Sequence, residues 1–420
     1  MKSNISRLGS VSIIISSFLL FGFVPLTLFP SFFLTAIFSE IVIWKELIVL
    51  GTSVCFVFFG RKEHFDKVTL YELSFGCFCW GGLFVSSLIF RDVSLFACFG
   101  GSIPYLIFIW CLFVFRQLRR EAMLLVYFGL ILAIGFVSFG IIYDALTGAF
   151  LHIRAGGVYV ERAFTAVEEF RRPGFLMSGS TVASLYLSSV TFLAYVGMFK
   201  ITGLKCRFII YCVCALAVLS VLVTLGRVGY AGIAVFVVTL SVLSVVLGQW
   251  KTFRSITAGG CVVLLIVATA LLGNDYVRSS VEVRFKQTFG KGVVSSAADR
   301  QRIDAWKNGI IESVRQLPIG AGIGQSQGRL GNSQNVRHFE SGVISFFYES
   351  GVFFIPYISF VLLQVFKSMF NLISYKEGKA VAVGLISCLF AVSFMVFINP
   401  ILGEVFFAVY LAYLSNYLSL

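Results

Sequence analysis

Long apolar stretches constrain this chain more than any other feature. Between Phe208 and Gln249, 42 residues pass with a single charged side chain, Arg227. One helix of that length would measure about 63 Å, roughly twice the ~30 Å hydrocarbon core of a bilayer. The stretch is therefore predicted to cross a membrane twice, with a turn in "LGRVGY". Arg227 then lies at one end of two helices, which avoids most of the ~2.5–3.5 kcal/mol cost of a charge at mid-membrane.

The composition agrees with a membrane protein. Of the 420 residues, 58% are hydrophobic and only 13% are charged, which is more apolar surface than a soluble domain can bury. The fold class is predicted to be an all-α polytopic membrane protein. The net charge of +13 would favour a nucleic-acid partner for a soluble protein. Here it is explained by Lys and Arg retained in cytoplasmic loops, and membrane lipid rather than nucleic acid is the expected partner.

Apolar runs of span length predict twelve transmembrane helices. The N-terminal run resembles a signal peptide, but it is too long and lacks a small-x-small cleavage motif, so it is interpreted as a retained span. The runs lie near 9–29, 41–60, 68–90, 93–115, 122–143, 176–198, 208–225, 228–248, 256–273, 341–366, 380–397 and 401–419.

The short loops predict the orientation. "RKEHFDK", "RQLRRE" and "WKTFR" each carry two or more Lys or Arg, whereas the short loops on the opposite side, at 91–92, 226–227 and 399–400, hold one or none. The positive-inside rule then places both termini in the cytoplasm. Five regions follow: helices 1–5 in 1–143, an outer loop in 144–175, helices 6–9 in 176–273, a second outer loop in 274–340, and helices 10–12 in 341–420.

The outward-facing segments favour arginine over lysine. They contain thirteen arginines and three lysines, whereas the cytoplasmic segments contain seven arginines and nine lysines. Topology gives no reason for outer arginines, whereas the planar guanidinium grips phosphate with two parallel hydrogen bonds. The pattern favours a phosphate or diphosphate site. For any single arginine, pairing with an outward acid such as Glu161, Glu168, Glu169, Asp299 or Asp304 is the simpler interpretation.

The second outer loop contains the densest set of candidate residues. "ADRQRIDAWKNGIIESVRQLP" is predicted to form an amphipathic helix, capped by Asp299 and ended by Pro318, with Arg302 and Trp306 as i,i+4 neighbours. "PIGAGIG" follows it, a loop able to approach a ligand closely or to offer N–H groups to an anion, although such loops are more often plain turns.

His338 lies where this loop meets the next span, between Arg337 and Glu340. A histidine beside an arginine has its charged form disfavoured, which leaves a neutral imidazole able to accept a proton. That suits a general base. An interfacial histidine bonded to a lipid head group is the alternative interpretation.

These residues resemble the lipid-linked polysaccharide polymerase and O-antigen ligase superfamily. The pattern is "RIDAW", then "PIGAGIG", "RHFESG" and "YESG". The segment "LGRVGYAG" is similar to the family's Arg-containing turn. The segment "RRPGFLMSGSTVASLYL", which contains Arg172, is similar to an earlier outer loop of the family. Ligases of that family commonly have Asn after the histidine, where this chain has Phe339. The continuation Glu340-Ser-Gly looks more like the polymerases.

The resemblance implies a C-type glycosyltransferase architecture in a bacterial inner membrane, with its active site on the periplasmic face. It implies an undecaprenyl-diphosphate-linked oligosaccharide as both donor and acceptor, and leaves room for a chain-length regulator protein as a partner. No metal and no cofactor are expected, in keeping with the absence of an Asp-x-Asp motif or a His/Cys cluster from the sequence.

The resemblance also assigns roles. Arg227 and Arg302 would hold the diphosphate with Arg172 and Arg337 as further contacts, and His338 would deprotonate the acceptor hydroxyl, with Glu340 orienting it or acting as the base. Two alternatives remain open. One is a ligase that moves a finished glycan onto lipid A-core. The other is a transporter of the same lipid, which membrane-embedded acids such as Glu72, Glu349 and Glu404 keep under consideration.

Overall fold

The structure is a computed structural model, and the residues it describes are almost entirely helical. It describes residues 7–26, 44–62, 67–91, 94–147, 175, 177, 180–201, 203–224, 226–273, 275, 278–279, 282, 297–324, 341–373, 379–399 and 405–417. Within these ranges the only extended pairing is an isolated bridge between Arg61 and Leu118. The ten cysteines all fall in these ranges and are free thiols.

The helices divide between two compact units. Unit one comprises Met1–Gly60, Arg120–Gly290 and Leu372–Met395, and unit two comprises Arg61–Arg119, Lys291–Asn371 and Val396–Leu420. The helices of unit one are α1 (Arg7–Phe18, extended by a π-helical turn to Phe23), α2 (Trp44–Gly60), α5 (Arg120–Thr147), α6 (Ser180–Gly197), α7 (Leu204–Val223), α8 (Arg227–Val246), α9 (Trp250–Gly273) and most of α13 (Lys379–Ile398). Those of unit two are α3 (Lys67–Arg91), α4 (Leu95–Gln117), α10 (Ala297–Arg315), α11 (Gly342–Ser350), α12 (Phe354–Ile373) and α14 (Val405–Tyr417).

Eight helical segments are long and apolar enough to cross a membrane, counted over the described ranges. They match eight of the twelve predicted spans, which confirms an all-α polytopic architecture. The segments are Lys67–Arg91, Cys98–Gln117, Arg120–Leu146, Thr181–Lys200, Leu204–Val223, Arg227–Val246, Gly342–Lys367 and Lys379–Ile398. The remaining four runs overlap α1, α2, α9 and α14, and the total of twelve stays a prediction.

Small residues let the helices of unit one approach closely. A Cβ added to Gly129 of α5 would lie 2.3 Å from the Ser17 Cβ of α1. Tyr127 of α5 donates a 2.5 Å hydrogen bond to the Ala194 carbonyl of α6, and the Ser220 hydroxyl of α7 donates one of 3.0 Å to the Ser138 carbonyl. Close backbone approach and hydroxyl bonds across helices are the usual means of association where lipid removes the hydrophobic driving force.

Aromatic contacts and amide groups hold unit two together. Tyr357 of α12 donates to the Tyr105 carbonyl of α4 at 3.1 Å, and the Asn416 amide of α14 donates to the Leu112 carbonyl at 3.3 Å. The span predicted for 341–366 is interrupted, because α11 ends at Ser350 and a 3₁₀ turn, Gly351–Phe353, precedes α12. That interruption positions part of the candidate site.

Candidate functional site

The structure describes two of the six site residues predicted from the sequence. Arg227 is the first residue of α8 in unit one, and Arg302 lies on α10 in unit two, where the backbone but not the side chain is described. The other four lie outside the described residues; they are Arg172, Arg337, His338 and Glu340. Arg227 and Arg302 therefore belong to different units, and the surroundings of each are described separately.

The predicted hairpin around Arg227 is confirmed. Helix α7 ends at Val223 and α8 begins at Arg227, with Gly226 in an extended conformation (φ −79°, ψ 101°) as the N-cap residue. The start of α8 packs tightly against α6, since a Cβ on Gly226 would lie 2.4 Å from the Ser184 Oγ and one on Gly229 only 1.9 Å. Glycine at these two positions therefore lets the start of α8 pack closely against α6, and this packing fixes the position of the Arg227 backbone.

The electrostatics at this point favour an anion. The N-terminus of a helix carries unpaired N–H groups and a partial positive charge, so a cationic side chain there is disfavoured by roughly 0.3–1 kcal/mol. Arg227 occupies that first position and is half-buried. A phosphate group would be attracted both by the guanidinium and by the helix terminus. The guanidinium and the helix terminus thus both favour an anion at this point.

The amphipathic helix predicted in the second outer loop is also confirmed. Helix α10 runs from Ala297, two residues before Asp299, so Asp299 lies inside the first turn and is not the N-cap predicted from the sequence. Trp306 packs against Ile344 and Tyr348, which are buried residues of α11. Its indole Nε1 is buried and donates no hydrogen bond to any described residue.

The glycine-rich loop after α10 is bound to the interruption between α11 and α12. The amides of Ala321 and Gly322 donate to the carbonyls of Tyr348 and Glu349 at 2.7 and 2.9 Å. In return, the Val352 amide donates to the Pro318 carbonyl at 2.8 Å. The motifs "PIGAGIG" and "YESG", which were separate features of the sequence, therefore form one hydrogen-bonded structure.

Glycine is required in this structure for two reasons. Gly320, Gly322 and Gly324 have φ angles of 87°, 104° and 87°, a region that other residues rarely adopt. Space is equally restricted, because a Cβ on Gly320 would lie 2.4 Å from the Glu349 carbonyl oxygen and one on Gly351 would lie 2.2 Å from that of Pro318. Both neighbours are backbone atoms, which cannot move aside as a side chain can.

The loop does not present the N–H groups of residues 320–323 to a ligand. Gly320 donates to the Gln316 carbonyl at 2.8 Å, and Ile323 donates to the Ser87 hydroxyl at 3.0 Å. With the bonds from Ala321 and Gly322, four consecutive N–H groups are used within unit two. Of the two uses suggested by the sequence, exposure of N–H groups to an anion does not apply to residues 320–323, which instead join α10 to α11.

These contacts join α10 and its following loop to α11. The end of α10 is joined to the end of α11, and Trp306 lies beside Ile344 and Tyr348. Arg302 lies one turn before Trp306 on the same helix. The start of α11 is capped by Ser341, whose hydroxyl accepts a 3.4 Å hydrogen bond from the Ile344 amide. Glu340 immediately precedes Ser341 in the sequence, and His338 lies three residues before it.

The sequence did not reveal the structural roles of two polar residues of unit two, Arg91 and Glu72. Arg91, counted there among the outward arginines, donates hydrogen bonds to the carbonyls of Gly320 and Gln316, the latter at 3.1 Å. Through these two carbonyls it supports the glycine-rich loop. A single arginine followed by Asp92 in a short loop carries no sequence signal for such a role.

Of the three acids that kept a transporter under consideration, Glu72 has basic partners. Glu72 forms ion pairs with both Arg116 and Lys367, and Arg116 also donates to the Gln364 side chain. Charges inside membrane spans are usually paired in this way. Glu349 is buried, 2% exposed, beneath the glycine-rich loop, whereas Glu404 lies outside the described residues.

Comparison with known proteins adds no relative. The sequence matches no protein-family model, and none of the curated proteins is significantly similar to it.

Proposed function

We propose that this protein is a metal-independent glycosyltransferase that polymerises lipid-linked oligosaccharide repeats at the outer face of a bacterial inner membrane. The observation that carries the proposal is the joining of α10 to α11 through Trp306 and the glycine-rich loop. Arg302 lies one turn from Trp306 on α10, and His338 and Glu340 precede α11 in the sequence. A cation suited to diphosphate and two candidate bases thus belong to two chain segments that are joined, which supports their assignment to one site.

The proposed reaction transfers a glycan between two lipid carriers. The bond between the anomeric carbon of the donor glycan and its diphosphate breaks, and polyprenyl diphosphate leaves with the bonding electrons. A hydroxyl of the acceptor repeat forms the new bond to the anomeric carbon. Its proton passes to His338, with Glu340 orienting the imidazole or taking the proton instead. No metal and no nucleotide sugar take part.

The arginines supply charge where the leaving group develops it. Arg302 is assigned to the diphosphate because of its place on α10, and Arg172 and Arg337 because of the family resemblance. Arg227 is assigned independently, because it begins α8 where the helix terminus also favours an anion. Preorganised donors of this kind stabilise charge that grows during bond cleavage.

Orientation is part of the proposal. An introduced cysteine between 150 and 170, or between 280 and 335, is expected to react with a membrane-impermeant thiol reagent added outside the inner membrane. One at position 118, 203 or 376 is expected to stay unlabelled. The reverse pattern would contradict both the periplasmic reaction and every role assigned above.

Reconstitution tests the reaction directly. The purified protein is placed in liposomes with lipid-linked oligosaccharide extracted from host cells that lack the gene, in the presence of a metal chelator. A polymerase converts single repeats into a ladder of lipid-linked products and releases polyprenyl diphosphate, both measured by mass spectrometry.

The other outcomes separate the alternatives. Product formation only after lipid A-core is added would identify a ligase. Movement of intact donor across the bilayer with no new glycosidic bond would identify a transporter. Inhibition by the chelator would contradict the metal-independent reaction.

A further inference from the structure

A cavity of about 900 Å³ lies in unit one, away from Arg227. Its lining comes from the turn after α6, the first two turns of α7, the start of α9 and the beginning of α13. These helix ends adjoin loops that the positive-inside rule places in the cytoplasm. Arg227 begins α8 at the opposite end of the α7–α8 hairpin. The cavity is thus distinct from the proposed site of glycosyl transfer.

The depth of the cavity matches the region of lipid head groups. Leu204 begins α7 and Tyr211 lies seven residues later, so the lining extends about 10 Å along the helix axis. The interfacial layer on each side of a bilayer is about 5–8 Å thick. The cavity therefore reaches from the head groups to the first part of the acyl chains.

The polar part of the lining is cationic. Lys205, Arg207 and Lys251 all line the cavity, and no described lining residue is acidic. The Arg207 guanidinium donates to the Ile201 carbonyl, which holds that charge in place. Tyr211 and Ser255 share a hydrogen bond between their hydroxyl groups deeper in the cavity. This set of groups is suited to a phosphate ester.

Apart from Gln249 and Thr252, the remaining lining is apolar, and its outer part is exposed. Leu204 and Phe208 line the cavity and are 83% and 68% exposed in the protein alone. A small free anion would leave these surfaces uncovered, whereas a lipid would cover them with its acyl chains. Cationic pockets between transmembrane helices on the cytoplasmic side commonly bind the head groups of anionic lipids.

Topology alone does not account for this arrangement. The positive-inside rule requires basic residues near the cytoplasmic helix ends, but it does not require them to line a cavity. Arg254 on α9 lies next to Ser255, is exposed, and does not contribute to the lining. It satisfies the topological requirement without facing the cavity, and so provides a matched control.

We infer that this cavity binds an anionic phospholipid of the cytoplasmic leaflet. The phosphate lies against Lys205 and Lys251, and the acyl chains lie along Leu204 and Phe208. The inference does not depend on the glycosyltransferase proposal, since it uses different residues at the other end of the α7–α8 hairpin.

Native mass spectrometry of the full-length protein tests the inference. The protein is mixed with equal amounts of phosphatidylglycerol and phosphatidylcholine that have identical acyl chains. Phosphatidylglycerol is expected to bind preferentially. Lys205→Gln and Lys251→Gln should each weaken its binding about fivefold, the effect of ~1 kcal/mol per basic residue near an anionic lipid. Both side chains are exposed, so neither change should affect folding.

Three results would overturn the inference. Equal binding of the two lipids would remove the need for an anionic head group. An equal loss in Arg254→Gln would reveal general surface attraction in place of a defined cavity. Displacement of the lipid by inorganic phosphate, but not by sodium chloride of equal ionic strength, would identify a free anion as the ligand. Loss in the two lysine variants with normal binding in Arg254→Gln supports the lipid site.

Discussion

The turn before α8 and the loop after α10 both combine glycine with arginine, yet they use glycine differently. At the turn, Gly226 and Gly229 make room for a neighbouring side chain, that of Ser184. In the loop, Gly320 approaches backbone atoms and has a φ angle of 87°. The turn requires small size alone, whereas the loop requires both small size and a left-handed backbone.

The arginines of the two regions also differ in what they contact. Arg227 begins α8, where a positive charge is locally unfavourable. Arg91 reaches the loop from α3 and bonds to two carbonyl groups. The first arrangement places a charge where an anion would stabilise it, and the second uses a charge to hold backbone in place. A glycine–arginine motif therefore does not by itself identify a ligand site.

His338 offers the largest test, because it lies in neither region and is proposed to perform the chemistry. His338→Ala should slow transfer by about 10²–10⁴-fold, the usual effect of removing a general base. Donor binding should survive because the arginines supply it. Cells are expected to carry single repeats and no long chains on gel electrophoresis, with normal amounts of protein in the membrane.

A second substitution separates proton transfer from positioning. His338→Gln retains hydrogen bonding without a useful base and should be as inactive as the alanine variant. Normal polymer from the glutamine variant would transfer the role of base to Glu340. Activity in both His338→Ala and Glu340→Ala would contradict the catalytic assignment as a whole.

Gly320→Ala tests whether the loop is scaffold. The residue would need a left-handed backbone and would overlap the Glu349 carbonyl, which together should cost about 2–6 kcal/mol. We expect little protein in the membrane and early loss of the folded form on heating in detergent. Gly81→Ala in α3 is the matched control, since a Cβ there meets no atom within 4 Å. Normal stability in Gly320→Ala would contradict the scaffold assignment.

Arg227→Lys tests whether the turn presents a bidentate cation. Lysine keeps the charge but loses the planar pair of donors, so activity should fall by about 10–100-fold with protein levels unchanged. Arg91→Lys should show the opposite pattern, with a lower melting temperature and normal activity per folded molecule. Wild-type polymer length in Arg227→Lys would place that residue among structural arginines.

The sequence predicted the helices of these regions but not the contacts between distant residues. The α7–α8 turn and helix α10 follow from apolar length and from 3.6-residue periodicity, which depend on neighbouring residues. The pairing of "PIGAGIG" with "YESG" depends on contacts between distant residues and has no periodicity to indicate it. The same reason hid the partners of Glu72, because Arg116 and Lys367 lie 44 and 295 residues away along the chain. The interruption at Gly351 was hidden because the apolar runs before Glu349 and after Gly351 together have the hydropathy and length of one span.

Gly229→Ala gives the smallest effect and the most direct test of the comparison, because its neighbour is a side chain. The new methyl group would lie 1.9 Å from the Ser184 Oγ, and overpacking of this kind costs about 1–3 kcal/mol. Ser184→Ala removes that oxygen and leaves the Val221 Cγ1 at 2.9 Å and the Ser184 Cβ at 3.1 Å, so the double variant should recover part of the lost melting temperature. Ser184→Ala alone loses only a 3.4 Å hydrogen bond to the Gly226 carbonyl and should be nearly neutral. No side-chain change can relieve Gly320→Ala in this way, since its neighbours are backbone atoms. Complete failure of the double variant to recover would contradict the assignment of Ser184 as the neighbour that limits size at Gly229.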